Sequence, residues 1–154
     1  MMVHGDVYHF EMSKNVQIVL DCRDSVQLAR WWAETLDWKF EWLDRALFEK
    51  LKDGGFCSDS DVVTIDGNLT WRTGAAINSG EESNPRHRMY FQDVPEQKTV
   101  KNRMHIDVHV GEQVVQETVT GLENRGATRL GAGTQGRHTW VIMADPEGNE
   151  FCVS

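Results

Sequence analysis

Met104, Ile106, Val108 and Val110 alternate along the chain with His105, Asp107 and His109. A period of two is that of a strand with one apolar face, so the two histidines and the carboxylate share the opposite face. Near the end of the chain Glu150 and Cys152 alternate in the same way with Phe151 and Val153. Imidazole, carboxylate and thiol on such faces could do two kinds of chemistry. A histidine beside the carboxylates of Asp107 and Glu150 would stay protonated to higher pH and serve as a general acid, so His105, Asp107 and Glu150 are the candidate catalytic group. A histidine and a thiolate could instead hold a zinc-like ion, weakly if the remaining donors are neutral. The structural alternative is a hydrogen-bonded cluster that ties strands together.

Other residues could line the same site. Gln17 and Asp21 lie opposite the apolar row Val16, Ile18, Leu20 and Cys22, and Tyr90 and Gln92 lie opposite Met89 and Phe91. Polar rows on one face of a sheet suit a binding pocket, although antiparallel sheets also present such faces to water. Trp71 and Trp140 are the candidate platforms for stacking on a flat ligand, whereas most of the remaining tryptophans fit a core and Trp31 an interface. Cys22 and Cys57 read as inert small hydrophobes. Arg86, Arg88, Lys98, Lys101 and Arg103 gather in one stretch, as an anion site or as a solvated loop.

These rows need elements to hold them. The alternation over 16–22 predicts a strand, and Asp24 or Ser25 a helix N-cap. Ala29, Trp32, Ala33 and Leu36 recur at helical spacing, and Trp38, Phe40 and Trp42 alternate as a second strand. Residues 43–52 suit a short helix ended by Gly54-Gly55, and 59–61 a loop. Strands over 62–65 and 69–76 flank the hairpin signal Asp66-Gly67-Asn68. A polar loop over 78–85 and a strand over 86–94 follow. Beyond a polar linker the pattern restarts: the strand at 104–110, a helix with Val115, Thr118, Val119 and Leu122 in register, Gly126 as its stop, short strands at 128–130 and 138–144, the turn Asp145-Pro146-Glu147-Gly148-Asn149, and a last strand. Residues 16–42 and 104–130 therefore repeat one another, with Gln17 falling on His105. Both are expected on central strands of their modules.

The 154 residues suit one domain. A net charge of −8 argues against a nucleic-acid backbone as partner, because no basic stripe is present to release counterions. No apolar run reaches the roughly 20 residues that span a bilayer, so no membrane partner is expected. The polar N-terminus lacks a signal-peptide core, and three cysteines without a C-x-x-C pair suit the cytoplasm.

The segments VQIVLDCRDSVQLARWWAETLDWKF, NRMHIDVHV, LENRGATRL and VIMADPEGNEFCV, in this order and over about residues 15–153, resemble the vicinal oxygen chelate superfamily. Within it they are most similar to the glyoxalase-like branch (glyoxalase/bleomycin resistance protein/dioxygenase), which is common in bacteria. The resemblance implies an α+β fold of two βαβββ modules with pseudo-twofold symmetry, mixed sheets curled around a central pocket and helices outside. Residues 1–14 would be an extension, 15–94 and 103–154 the modules, and 95–102 the linker. The resemblance also implies up to four metal positions. Gln17 falls on the first, Tyr90 or Gln92 on the second, His105 on the third and Cys152 on the fourth. Carboxylates usual at the second and fourth are missing, so no resident metal cofactor is expected; an ion, if bound, would take Gln17, Gln92, His105 and Cys152. The implied function is a small-molecule lyase or isomerase acting on a carbonyl or vicinal-oxygen substrate, not a true glyoxalase. The alternatives are an antibiotic-type binding protein without chemistry and a regulatory subunit with a vestigial pocket. A homodimer is expected.

Overall fold

In the computed structural model, which describes residues 16–80 and 87–154, the first alternating segment forms strand β1 (Ile18–Cys22). The Asp24 carboxylate accepts from the Gln27 amide at 3.0 Å and so caps helix α1 (Ser25–Leu36), satisfying one of the amides that a helix start leaves without a partner. The chain continues through β2 (Lys39–Phe40), α2 (Arg45–Asp53), a 3-10 turn at Asp59–Asp61, β3 (Val62–Ile65), β4 (Asn68–Trp71), β5 (Gly74–Asn78) and β6 (Arg88–Asp93). The restart yields β7 (Ile106–Val108), α3 (Val115–Asn124), β8 (Thr128–Gln135), β9 (His138–Ala144) and β10 (Glu150–Val153).

The strands assemble into two four-stranded mixed sheets of one design. The first has the order β1-β6-β5-β2 and the second β7-β10-β9-β8. In each the leading strand runs parallel to the last, β1 with β6 and β7 with β10, and the other pairs are antiparallel. The expected α+β architecture of two repeated units is what the structure has, with the sheets not closed into a barrel. The copies differ by an insertion: α2, the 3-10 turn and a separate β3–β4 hairpin lie between β2 and β5 of the first unit. The hairpin turns at Asp66 and Gly67, both at positive φ (50° and 83°), the geometry that two-residue hairpin loops require.

One hydrophobic core serves both sheets. Ile77, Met89 and Phe91 of the first sheet, Val141, Met143, Phe151 and Val153 of the second, and the inner faces of α1 and α3 belong to a single cluster. Trp31 and Trp32 of α1 meet Phe151 edge-on, at 5.9 and 5.0 Å between ring centres. The Trp32 indole N–H donates to the buried Asp145 carboxylate at 3.1 Å, which joins α1 to the turn before β10.

Several boundaries differ from expectation. The second strand holds only Lys39 and Phe40, paired with Asn78 and Ile77 of β5; past it the Glu41 amide still donates to the Ala76 carbonyl at 2.8 Å, and Leu43 bridges to Leu69 of the hairpin instead. The segment 69–76 is two strands in two sheets, not one. The break falls at Arg72, whose guanidinium donates to the Ser60 and Val62 carbonyls at 2.8 and 2.7 Å and ties that side of the hairpin down. Strand β8 runs five residues past the expected 128–130, carried by pairing with β9 across Gly131 and Gly133. Trp31, expected at an interface, is 9% exposed and donates its indole N–H to the Arg125 carbonyl at 3.0 Å. The β1 and β7 strands are sheet edges, not central strands. The expected extension at 1–14, most of the 78–85 loop and Arg86 lie outside the described residues. Among those described, no helix is long and apolar enough to cross a membrane.

Candidate functional site

Parallel pairing of β7 with β10 sets Asp107 beside Cys152, and His105 precedes Asp107 by one strand period on the same face. The His105 Nε2 lies 3.4 Å from an Asp107 carboxylate oxygen, and both side chains are about half exposed, at 48% and 53%. One ligand atom each from His105, Asp107 and Cys152 lies within 4.8 Å of the others. Cys152 is buried; that burial, then the Asp107 charge and a hydrogen bond to Asp107, pushes its thiol up.

These three line a cavity of about 560 Å³ together with Lys101, His109, His138, Trp140, Ile142 and Glu150. An adjoining cavity of about 480 Å³ shares His109, His138 and Trp140 and adds Arg129 and Arg137. The Trp140 indole lies against Gly133 of the neighbouring strand, where a Cβ would stand 2.3 Å from the ring. The cavity wall therefore owes its shape to the absence of a side chain at Gly133. His109 Nδ1 and Ser154 Oγ are hydrogen-bonded at 2.8 Å.

Glu150 shares the face of Cys152, but its carboxylate is committed elsewhere. It accepts from Lys98 Nζ at 3.1 Å and from the Asn102 amide at 3.0 Å. Burial alone would raise its pKa; the Asn102 amide and the Lys98 ammonium outweigh that and bring it down to about 2. Glu150 thus pins the segment leading into β7, while the imidazole–carboxylate contact is made by His105 and Asp107.

The remaining expected residues lie on the first sheet and its hairpin. Gln17 stands one residue before β1, as His105 does before β7, and its side-chain oxygen accepts from Arg88. Arg88 is also paired with Glu41 at 2.8 Å and sits over the Tyr90 ring. Tyr90 lies against Gly74, where a Cβ would stand 2.1 Å from its hydroxyl, and Gln92 is exposed beside Asp21. Trp71 and Tyr90 line a cavity of about 250 Å³ with Glu41, Trp42 and Arg88. Neither the Gln17 nor the Gln92 side chain lines the larger cavity. Residues that sequence reasoning missed here are Gly133, His138 and Asn102, and Lys98 was read only as part of a basic stretch, not as the partner of Glu150. The pattern Gly131-x-Gly133 within a strand was the usable signal, since interior strand glycines mark close approach. Nothing local in the sequence ties Lys98 and Asn102 to Glu150, nearly fifty residues away.

Chemically the arrangement offers an imidazole–carboxylate pair able to hold or pass a proton, and a thiol next to it. The donor set also fits a divalent ion. An imidazole nitrogen, a carboxylate and a thiolate make a three-ligand set of the kind that leaves a fourth position free, and its two negative charges match the ion's. His105, Asp107 and Cys152 would hold it. Bound there, such an ion supplies Lewis-acid polarisation of a ligand oxygen.

The model of the glyoxalase-like domain family matches residues 17–154. A comparison with curated proteins finds no match. Among solved structures, a glyoxalase/bleomycin resistance protein/dioxygenase family enzyme from Burkholderia phytofirmans superposes with a TM-score of 0.56 at 14% identity, covering 89% of this chain and 94% of that one. The fosfomycin resistance protein FosX from Mesorhizobium loti gives 0.59 at 8% identity, with 92% and 90% covered. A mutant FosX from Listeria monocytogenes, solved with Mn(II) and 1S,2S-dihydroxypropylphosphonic acid, gives 0.59 at 9% identity, with 92% and 91% covered. At such identities the likeness is one of fold.

Proposed function

The chain belongs to the glyoxalase-like domain family, and from that premise we propose that it is a lyase- or isomerase-like enzyme acting on a small carbonyl or vicinal-oxygen compound bound on the second sheet. The observation that carries the proposal is the His105–Asp107 pair lining the 560 Å³ cavity, with Trp140 and Ile142 supplying apolar lining from β9 of the same sheet. Lyases and isomerases of such compounds must move a proton and relieve negative charge on an oxygen. A half-exposed imidazole backed by a carboxylate can do both, with His105 as the acid or base and Asp107 orienting it. This reading requires no ion. Glu150 acts as a positioning residue, since Lys98 and Asn102 hold its carboxylate. Gln17, Tyr90, Gln92 and Trp71 would reach the same ligand from a second copy of the chain, because among the described residues the cavity is lined by residues between 101 and 154. The edge strands β1 and β7 and the exposed apolar side chains of Val16, Val19 and Met104 beside them support a homodimer. Free Cys22, Cys57 and Cys152 suit the reducing cytoplasm.

The second reading is a binding protein of the antibiotic-sequestering type, favoured by the apolar wall. Solved relatives include proteins named for fosfomycin and bleomycin resistance. One experiment separates the two. Fosfomycin, bleomycin and the methylglyoxal–glutathione adduct are each incubated with the protein and with His105→Ala, following both binding and product by NMR. Turnover of fosfomycin that disappears in His105→Ala supports the enzyme. Stoichiometric binding without product supports sequestration and overturns the enzyme. Conversion of the methylglyoxal–glutathione adduct is expected to be negligible; rapid conversion would overturn the exclusion of a true glyoxalase.

A further inference from the structure

We infer that the second-sheet site selects a thiophilic divalent ion, of the zinc or cobalt kind, over the manganese kind, and that Cys152 is the residue that selects it. The inference rests on the reading above for the cavity being a ligand site, but stands on its own geometry; with an ion bound, His105 and Asp107 would be its ligands, and the ion rather than the imidazole would relieve charge on a ligand oxygen. An absence of metal is expected from the sequence because two neutral amides, Gln17 and Gln92, would complete the set around His105 and Cys152. The structure removes that reason. The carboxylate of Asp107, not an amide, is what lies with His105 and Cys152, their ligand atoms within 4.8 Å of one another.

Three features argue for an ion and for its type. First, thiolate and carboxylate together carry two negative charges, so a divalent ion is taken out of water into a neutral site. Second, the donors are one sulfur, one nitrogen and one oxygen. Sulfur and imidazole favour zinc and cobalt, whereas manganese prefers oxygen ligands, and the ordinary affinity series already places manganese lowest. Third, the site is half open. All three donors line the cavity; Cys152 is 8% exposed, while the His105 and Asp107 side chains are about half exposed. Three protein ligands with one open side are the arrangement in which an ion can also meet a ligand oxygen. The parallel β7–β10 register, which sets Asp107 against Cys152, fixes two of the three donors on rigid strands. The remaining thiols lie elsewhere: Cys22 in the core beneath α1, and Cys57 between α2 and the 3-10 turn.

The test is a cobalt titration of the full-length protein after chelator treatment, read by absorption. A cobalt–thiolate charge-transfer band is expected, saturating at one ion per chain and abolished by zinc. In Cys152→Ser the band should vanish and affinity fall by about tenfold or more, while Cys57→Ser and Cys22→Ser keep it. Asp107→Asn should keep the band but weaken binding by at least about 10–100-fold, the cost of losing even an outer-shell partner. Manganese, followed by the loss of its free paramagnetic signal, should bind about a hundredfold more weakly than cobalt or worse. Circular dichroism of each variant verifies folding, and Asp107→Asn carries the test if Cys152→Ser fails to fold. Cobalt binding without a thiolate band, a band that survives in Cys152→Ser, or manganese bound as tightly as cobalt would each overturn the inference. Fosfomycin binding without a cobalt band leaves the cavity reading standing and this one fallen. A cobalt band without binding of any of the three antibiotic or adduct probes does the reverse.

Discussion

Asp145 carries more of the structure than its place in a turn suggests. Its buried carboxylate accepts from the Asn149 and Glu147 amides at 2.9 Å, from the Asn149 side chain and from the Trp32 indole. Burial pushes its pKa up despite those donors. Replacing it with alanine leaves several buried donors unpaired, so Asp145→Ala should cost about 3 kcal/mol, whereas Trp32→Phe, which removes one donor and some packing, should cost about 1 kcal/mol. Urea unfolding measures both, and equal costs would refute the hub role. Gly133 is the second residue whose effect can be stated. An alanine there would drive the Trp140 ring off the strand, so Gly133→Ala should weaken binding at the cavity by about tenfold, or 1.4 kcal/mol, with little change in melting temperature. Isothermal calorimetry with fosfomycin, or with whichever of the three probes binds, is the measurement; unchanged affinity would remove Trp140 from the site.

At the scale of elements, the structure depends on ends being tied to distant segments. The Glu147 carboxylate accepts from the Arg23 and Asp24 amides at 2.6 and 2.9 Å, and Asp93 accepts from the Ser25 amide at 2.7 Å. The start of α1 is thus closed by residues of two other elements, an arrangement that also suits the positive end of a helix. The inserted hairpin has its own small core of Phe48, Val62 and Leu69. Its anchor is Arg72, through the Ser60 and Val62 carbonyls. Arg72→Ala should therefore raise hydrogen exchange across 58–71 by about tenfold while β6 and β10 keep their protection, because the loss of two charge-assisted bonds is confined to that satellite core. Faster exchange throughout would mean that the hairpin and the sheets unfold as one unit.

At the scale of the molecule, one core joins two sheets while each sheet lines its own cavity. A chain so built presents the rows around Gln17 and around His105 at separate places, and a second copy is the simplest way to bring them to one ligand. Light scattering at micromolar concentration should give twice the chain mass. Val19→Glu, which puts a charge on the exposed face of the edge strand β1, should return it to a single chain while leaving the circular dichroism unchanged. A monomeric native protein would confine the ligand to residues of the second sheet.

The sequence by itself determined what alternation and local chemistry can determine. The apolar rows of 16–22 and 104–110, the helical stripe from Ala29 to Leu36, the hairpin at Asp66-Gly67 and the Asp145–Asn149 turn follow from periodicity and turn geometry, and with the family resemblance they led to two repeated α+β units. The side-chain face of His105, Asp107 and Cys152 was likewise readable, because a strand leaves only two choices. Distances between strands were not readable. That Asp107 lies beside Cys152 is a consequence of the β7–β10 register, and that Glu150 is held by Lys98 and Asn102 is a consequence of how 98–102 folds back on β10. The length of β8 and the split of 69–76 into two sheets were hidden for the same reason: backbone pairing with a distant partner, not local preference, decides where a strand runs and stops. Charge and metal chemistry depend on those distances, so only the tertiary structure shows the Asp107 carboxylate, rather than an amide, beside His105 and Cys152.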